Sequence, residues 1–250
     1  MVGMFRSIKN ILKQSAFLVE VVKANRSILS GMKSDLGRMK ARSKRRIEMK
    51  RYFLVHKIRK LQVGAGYNLL NGWLNTDLQP TSRGCTFLDV TKRFPFENNT
   101  FERIFTEHLI EHLTYQDGLL MLSECYRILK LGGRIRIATP NLVNIISLYR
   151  HEKTVSQQRY LDWAMKKYFS HLGVCQESFV INNFFRSWGH QFIYDFPTLD
   201  SAMKEVGYRD ITVHAPGKSD DLDFQGIDFH GKVIGEDINK FETMILEGSK

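Results

Sequence analysis

The chain has 250 residues, 43% of them hydrophobic, enough for one large α/β domain or a domain with an appendage. No apolar run approaches the roughly 20 residues that span a bilayer, and the cysteines Cys85, Cys125 and Cys175 fit neither a disulfide framework nor a zinc site, which points to reduced thiols in a cytoplasmic compartment. The net charge of +11 is unevenly placed: residues 1–60 carry 17 Lys/Arg against 3 Asp/Glu and the rest 20 against 23, so the body lacks the basic footprint of a nucleic-acid-binding domain.

In residues 4–23 the apolar positions Met4/Phe5, Ile8, Ile11/Leu12, Leu18/Val19 and Val22 follow a helical period, with Arg6, Lys9, Lys13 and Lys23 between them. Glu20 and Lys23 break the one stretch that could serve as a secretory signal. Residues 33–51 are dense in Lys and Arg, including Lys44-Arg45-Arg46. Residues 1–58 therefore read as a basic helical extension to a domain over 59–250. Through residues 1–51 it suits peripheral contact with an anionic membrane surface, or packing on its own body or a second copy.

From Leu61 the pattern changes to short strands alternating with helices, the signature of a parallel sheet. Leu61-Gln62-Val63 reads as a strand running into Gly64-Ala65-Gly66, and the next strand ends on Asp77. Bare glycine backbone lets a ligand approach, and a carboxylate at the neighbouring tip can accept hydrogen bonds from a ribose diol. A third strand, Cys85 to Val90, carries another acid near its end, Asp89. Phe101 to Thr106 is the fourth and passes into Glu107-His108-Leu109-Ile110-Glu111-His112. Thr114 with Asp117 starts a helix that runs through Leu129 and stops at Gly132-Gly133, a connector to a fifth strand, Arg134 to Ala138. Residues 141–193 form an aromatic-rich insertion expected to cap the ligand end of the sheet, most of its rings filling its own core. A helix from Asp195 or Thr198 to Gly207 follows. Ile211 to Val213 and Phe241 to Leu246 are the closing strands, with a polar loop between them.

Taken together, these strand tips resemble the class I S-adenosylmethionine-dependent methyltransferases of the type-11 kind, best over about Lys60 to Pro140. The resemblance implies a Rossmann-like, seven-stranded, mostly parallel sheet with helices on both faces. It implies S-adenosyl-L-methionine as cofactor: Gly64, Ala65 and Gly66 under its methionine part, Asp77 and Leu78 at the ribose, Asp89 and Val90 around the adenine, Thr106 and Glu107 facing the sulfonium. The tail, Trp188 to Asp195 and Ser219-Asp220-Asp221, is similar to a bacterial branch, which suggests O-methylation of a small or glycan-type acceptor. Gln62, Asn68 and Leu131 depart from the family's usual acid, glycine and proline, a change expected to affect cofactor affinity rather than fold. The rival readings are a nucleic-acid methyltransferase using the basic arm and a non-catalytic protein that keeps the fold.

A hydroxyl acceptor must lose its proton, and histidine titrates near neutrality. His190, within the insertion, is the first candidate base, with His108 and His112 beside it and His230 more distant. His108 to His112 also matches the H-x-x-E-H spacing of zinc hydrolases, but it lies directly off a strand tip, without the helix that motif needs. Asp220, Asp221 and Asp223 read as a solvated turn rather than as ligands of a divalent cation of the kind some sugar methyltransferases require. The sequence assigns no metal.

Overall fold

The computed structural model describes residues 44–80 and 82–250. The amphipathic stretch 4–23 and most of the cationic run 33–51 lie outside the described residues, so the membrane and self-association expectations fall there too.

Seven strands form one sheet in the order β3-β2-β1-β4-β5-β7-β6. These are β1 Lys60–Val63, β2 Leu74–Asp77, β3 Cys85–Phe87, β4 Phe101–Glu107, β5 Leu129–Pro140, β6 Arg209–His214 and β7 Thr243–Ser249. The first five run parallel, and β7 pairs antiparallel with both β5 and β6. Strand order reverses between β1 and β4. That is the crevice where open α/β sheets bind ligands.

Alternation along the strands sorts residues between the two faces. Leu61, Val63, Ile104, Ile135, Ile137 and Leu246 point to one side and form a core with helix α2 (Tyr115–Ile128) and helix α6 (Phe196–Val206). A helix over 44–55, α1, joins this core: Tyr52 is buried, and its hydroxyl donates to the Lys60 carbonyl at 2.9 Å. The other face carries a row in register, Gln62, Phe105, Arg136 and Glu247. The segment before the last helices crosses this row, and its Phe224 packs with Phe105 and Trp73.

The helix starts follow the sequence. Thr114 accepts the Asp117 amide, and Asp195 accepts the Thr198 amide at 2.9 Å. Two boundaries differ. Gly132-Gly133 lies within the long β5 rather than between elements, because the Gly132 amide donates to the Lys250 carbonyl and the Lys250 amide to Gly133, pairing that turn with the C-terminus. Phe241 belongs to a helix, α8 (Glu236–Glu242), preceded by α7 (His230–Ile234), so the presumed polar loop is partly helical. Residues 141–193 hold three helices, α3 Leu142–Ser147, α4 Val155–Tyr168 and α5 Glu177–Arg186. Tyr160, Phe184, Trp163 and Phe179 pack in one core with Ile234 of α7 and Ile238 of α8, so the insertion shares its core with the segment before β7.

One buried group in the main core is unbalanced. The Tyr194 hydroxyl has no hydrogen-bond partner among the described residues and lies where a Cβ on Gly118 would meet it at 2.5 Å. Tyr194→Phe removes an unsatisfied polar atom and should raise unfolding free energy by about 1–3 kcal/mol, measured by urea denaturation.

Candidate active site at the strand tips

β1 ends at Val63, and the chain turns through Gly64 (φ 72°) and Gly66 (φ 53°), left-handed conformations that cost glycine little. A Cβ on Gly66 would meet nothing within 4 Å among the described residues, which leave the space beside that peptide open. At Gly64 it would meet Leu109 at 2.8 Å, so the segment after β4 packs directly on the glycine loop. The Gly66 amide donates to Asp77 Oδ2 at 3.0 Å, the Gln79 amide to Asp77 Oδ1 at 2.8 Å, and the Ala65 amide to the Thr76 carbonyl at 2.9 Å. Gly64, Ala65, Gly66 and Asp77 thus share one rim, with Leu78 exposed beside them.

Gln62 is buried and braces the loop from below. Its Nε2 donates to the Asn68 carbonyl at 2.9 Å, and its Oε1 accepts from the Leu70 amide at 3.3 Å. At the third tip, the Leu88 amide donates to the Asp77 carbonyl at 2.9 Å, which sets Asp89 close by. Burial raises the Asp89 pKa, but the Thr91 hydroxyl (2.7 Å) and amide (3.2 Å) outweigh it and hold the carboxyl below its usual range. Val90 packs against the main core.

At the β4 tip, Thr106 is buried and its hydroxyl has no hydrogen-bond partner among the described residues. Glu107 is not open to the rim as the resemblance implied. Its carboxylate accepts the backbone amides of Phe229 (2.8 and 3.0 Å) and His230 (3.0 Å), and burial lifts its pKa. The stretch His108 to His112 contains a short 3-10 turn, Ile110–His112, not a longer helix, so its two histidines separate.

His108 is turned inward, at φ 47°. Its Nε2 lies 3.1 Å from the Thr243 hydroxyl and its Nδ1 3.2 Å from Glu111 Oε1. Burial opposes its protonation, but the Glu111 carboxylate prevails and raises its pKa. With both nitrogens engaged, it positions other groups. His230 is not distant, as the sequence had suggested: its ring stacks on His108 with centroids 3.8 Å apart, and its Nε2 lies 3.0 Å from Glu242 Oε1. The Tyr160 hydroxyl donates to the other Glu242 oxygen at 2.6 Å. Glu242 and Tyr160 carry no sequence signal, because the partners come from segments far apart in the chain.

His112 and His190 come together on the other side of the turn, with ring centroids 5.0 Å apart. Burial lowers the His190 pKa, and its Nδ1 lies 2.7 Å from the Phe184 carbonyl oxygen. The acid-rich turn is elsewhere. Asp223 pairs with Lys60 at 2.9 Å and Asp221 with Arg103, at the opposite end of β1 from Gly64.

Residues 61–137, which span all four strand tips, match the family model described as a methyltransferase domain. That stretch of the chain is similar to a methyltransferase domain. No curated protein matches the chain. Among solved structures it is similar to a SAM-dependent methyltransferase from Archaeoglobus fulgidus, with 16% identity over 82% of this chain and 93% of that one and a TM-score of 0.48. It is also similar to an S-adenosylmethionine-dependent methyltransferase from Mesorhizobium loti (12% identity, 77% and 91% covered, TM-score 0.46). A third is phosphoethanolamine N-methyltransferase 2 from Haemonchus contortus in complex with S-adenosyl-L-methionine (14%, 83% and 52%, 0.41).

The rim fits S-adenosylmethionine. Gly66 leaves open space beside its peptide and Asp77 keeps lone pairs for a diol, while Asn68 Nδ2 and Thr106 Oγ1 are buried without a hydrogen-bond partner among the described residues. Among the described residues no helix is long and apolar enough to cross a membrane.

Proposed function

We propose that the domain transfers the methyl group of S-adenosylmethionine to a hydroxyl of a small or glycan-type acceptor, in the cytoplasm or at the membrane surface facing it. When bound, the cofactor supplies an electrophilic methyl on a sulfonium. The protein's part is to align the acceptor and assist loss of its proton. Gly64, Ala65, Gly66 and Asp77 hold the cofactor, with Leu78, Asp89, Val90 and Thr106 completing the site.

The observation that carries this reading is the contact of Leu109 with Gly64. It sets the turn bearing Glu111 and His112 beside the cofactor loop, and His190 lies against His112. This arrangement supports a role for those groups in removing a hydroxyl proton beside the methyl donor. His108, with both nitrogens engaged, supports them from behind. The glycan class rests on the likeness of Trp188 to Asp195 and Ser219 to Asp221 to a bacterial branch of the family.

Calorimetry with S-adenosylmethionine and its demethylated product, followed by transfer of a radiolabelled methyl to a saccharide panel, tests the proposal. Binding of both ligands and label on a saccharide hydroxyl are expected. Absence of binding at millimolar ligand, or label only on amines or nucleic acid, would overturn it.

A further inference from the structure

We propose that Glu111, His112 and His190 bind one divalent transition metal of the zinc, iron or manganese class, and that its open coordination position takes the acceptor oxygen. One ligand atom from each residue lies within 4.8 Å of the other two. Bonds of about 2.0–2.2 Å to nitrogen and oxygen bring such atoms somewhat closer still, within reach of small side-chain rotations.

Glu111 Oε1 decides the assignment. It is buried and makes no aligned hydrogen bond among the described residues; its contacts are the ion pair with His108 Nδ1 at 3.2 Å and His112 Nε2 at 4.0 Å. The single His108 contact leaves this buried carboxylate oxygen with a lone pair that a cation would satisfy. The other oxygen, Oε2, accepts the Thr139 hydroxyl at 3.0 Å, which fixes the plane of the carboxylate.

His190 is prepared as a ligand. The Phe184 carbonyl can only accept, so Nδ1 carries the proton and Nε2 keeps the lone pair. A backbone carbonyl holding the far N–H is the usual support for a metal-bound imidazole. The two donor segments are also tied together. The Gln191 and Phe192 amides donate to the Glu111 carbonyl at 2.8 and 3.2 Å, and the Gln191 side chain to the His112 carbonyl at 2.7 Å.

Two histidines and a glutamate leave a fourth position free, as in metal sites that perform chemistry. A metal there would lower the pKa of a bound hydroxyl, so the acceptor could lose its proton without a free histidine base. A second group, His108, His230 and Glu242, also has ligand atoms within range. Its members are already committed: Glu242 to His230 and the Tyr160 hydroxyl, and His108 to Thr243. The inference deepens the function proposed above, resting on it for the acceptor's role but not for metal binding.

The test is calorimetry of chelator-treated full-length protein with Zn²⁺, alongside a titration with S-adenosylhomocysteine. One Zn²⁺ per chain is expected, with affinity falling about 100-fold in His112→Ala and in His190→Ala and holding in His230→Gln. Retained S-adenosylhomocysteine binding shows that each variant is folded. No Zn²⁺ binding at millimolar metal, unchanged affinity in both alanine variants, or loss confined to His230→Gln would overturn the site. Zn²⁺ binding without S-adenosylhomocysteine binding would instead support the metal site and remove the methyltransferase reading.

Discussion

Arg136→Met should lower the unfolding free energy by about 3–5 kcal/mol, the scale for removing one partner of a buried ion pair. Arg136 is fully buried on β5 and meets two carboxylates: Glu247 at 2.5 Å, and Asp228 at 3.0 and 2.5 Å. It also donates to the Lys218 carbonyl at 2.9 Å, and Asp228 accepts the Gly217 amide at 2.7 Å. Methionine fills much of the volume but leaves Asp228 without a cation and Glu247 with Arg134 and His214 alone. Adding Asp228→Leu and Glu247→Leu should recover most of the loss, because apolar replacement of a whole buried charge cluster is often close to neutral. Denaturant unfolding of the single and triple variants checks both. A loss below about 1 kcal/mol in the single variant would show that the guanidinium is not the tie described. The effect reaches the site, since Asp228 immediately precedes the amides of Phe229 and His230 that hold Glu107.

Asp77→Ala should weaken S-adenosylmethionine binding by about 1–3 kcal/mol while leaving stability nearly unchanged. Both Asp77 oxygens accept amides of the rim, from Gly66 and Gln79, and these donors are exposed enough for water to replace the carboxylate in the free protein. In the complex, a ribose diol facing alanine loses its charged acceptor, and hydrogen bonds to charged groups are the stronger kind. The Gly66 peptide also loses the anchor that fixes the loop. Calorimetric titration of the variant, beside a thermal melt, separates the two effects. Equal affinity in variant and parent would place the ribose elsewhere.

Much of the scaffold could be read from the chain because it is local. Alternation at Leu61–Val63 and Ile104–Thr106, the Thr114 and Asp195 caps, and the glycines before Asp77 each express a preference within a few residues. The conformational need of Gly64 and Gly66 was equally local, and both have positive φ. Gly132-Gly133 misled for the opposite reason. Its apparent helix stop is overridden by pairing with Lys250, a contact across more than a hundred residues.

The sequence by itself determined a strand-and-glycine frame with an acid at each of two further tips, since backbone sterics and hydrophobic period act over short range. Tertiary structure alone decided the chemistry around it. It committed Glu107 to the amides of Phe229 and His230, brought His230 onto His108, and set His190 against His112. Those partners are separated by tens of residues to more than a hundred. Only folding fixes their distances, and burial then sets which of them keeps a charge or a free lone pair.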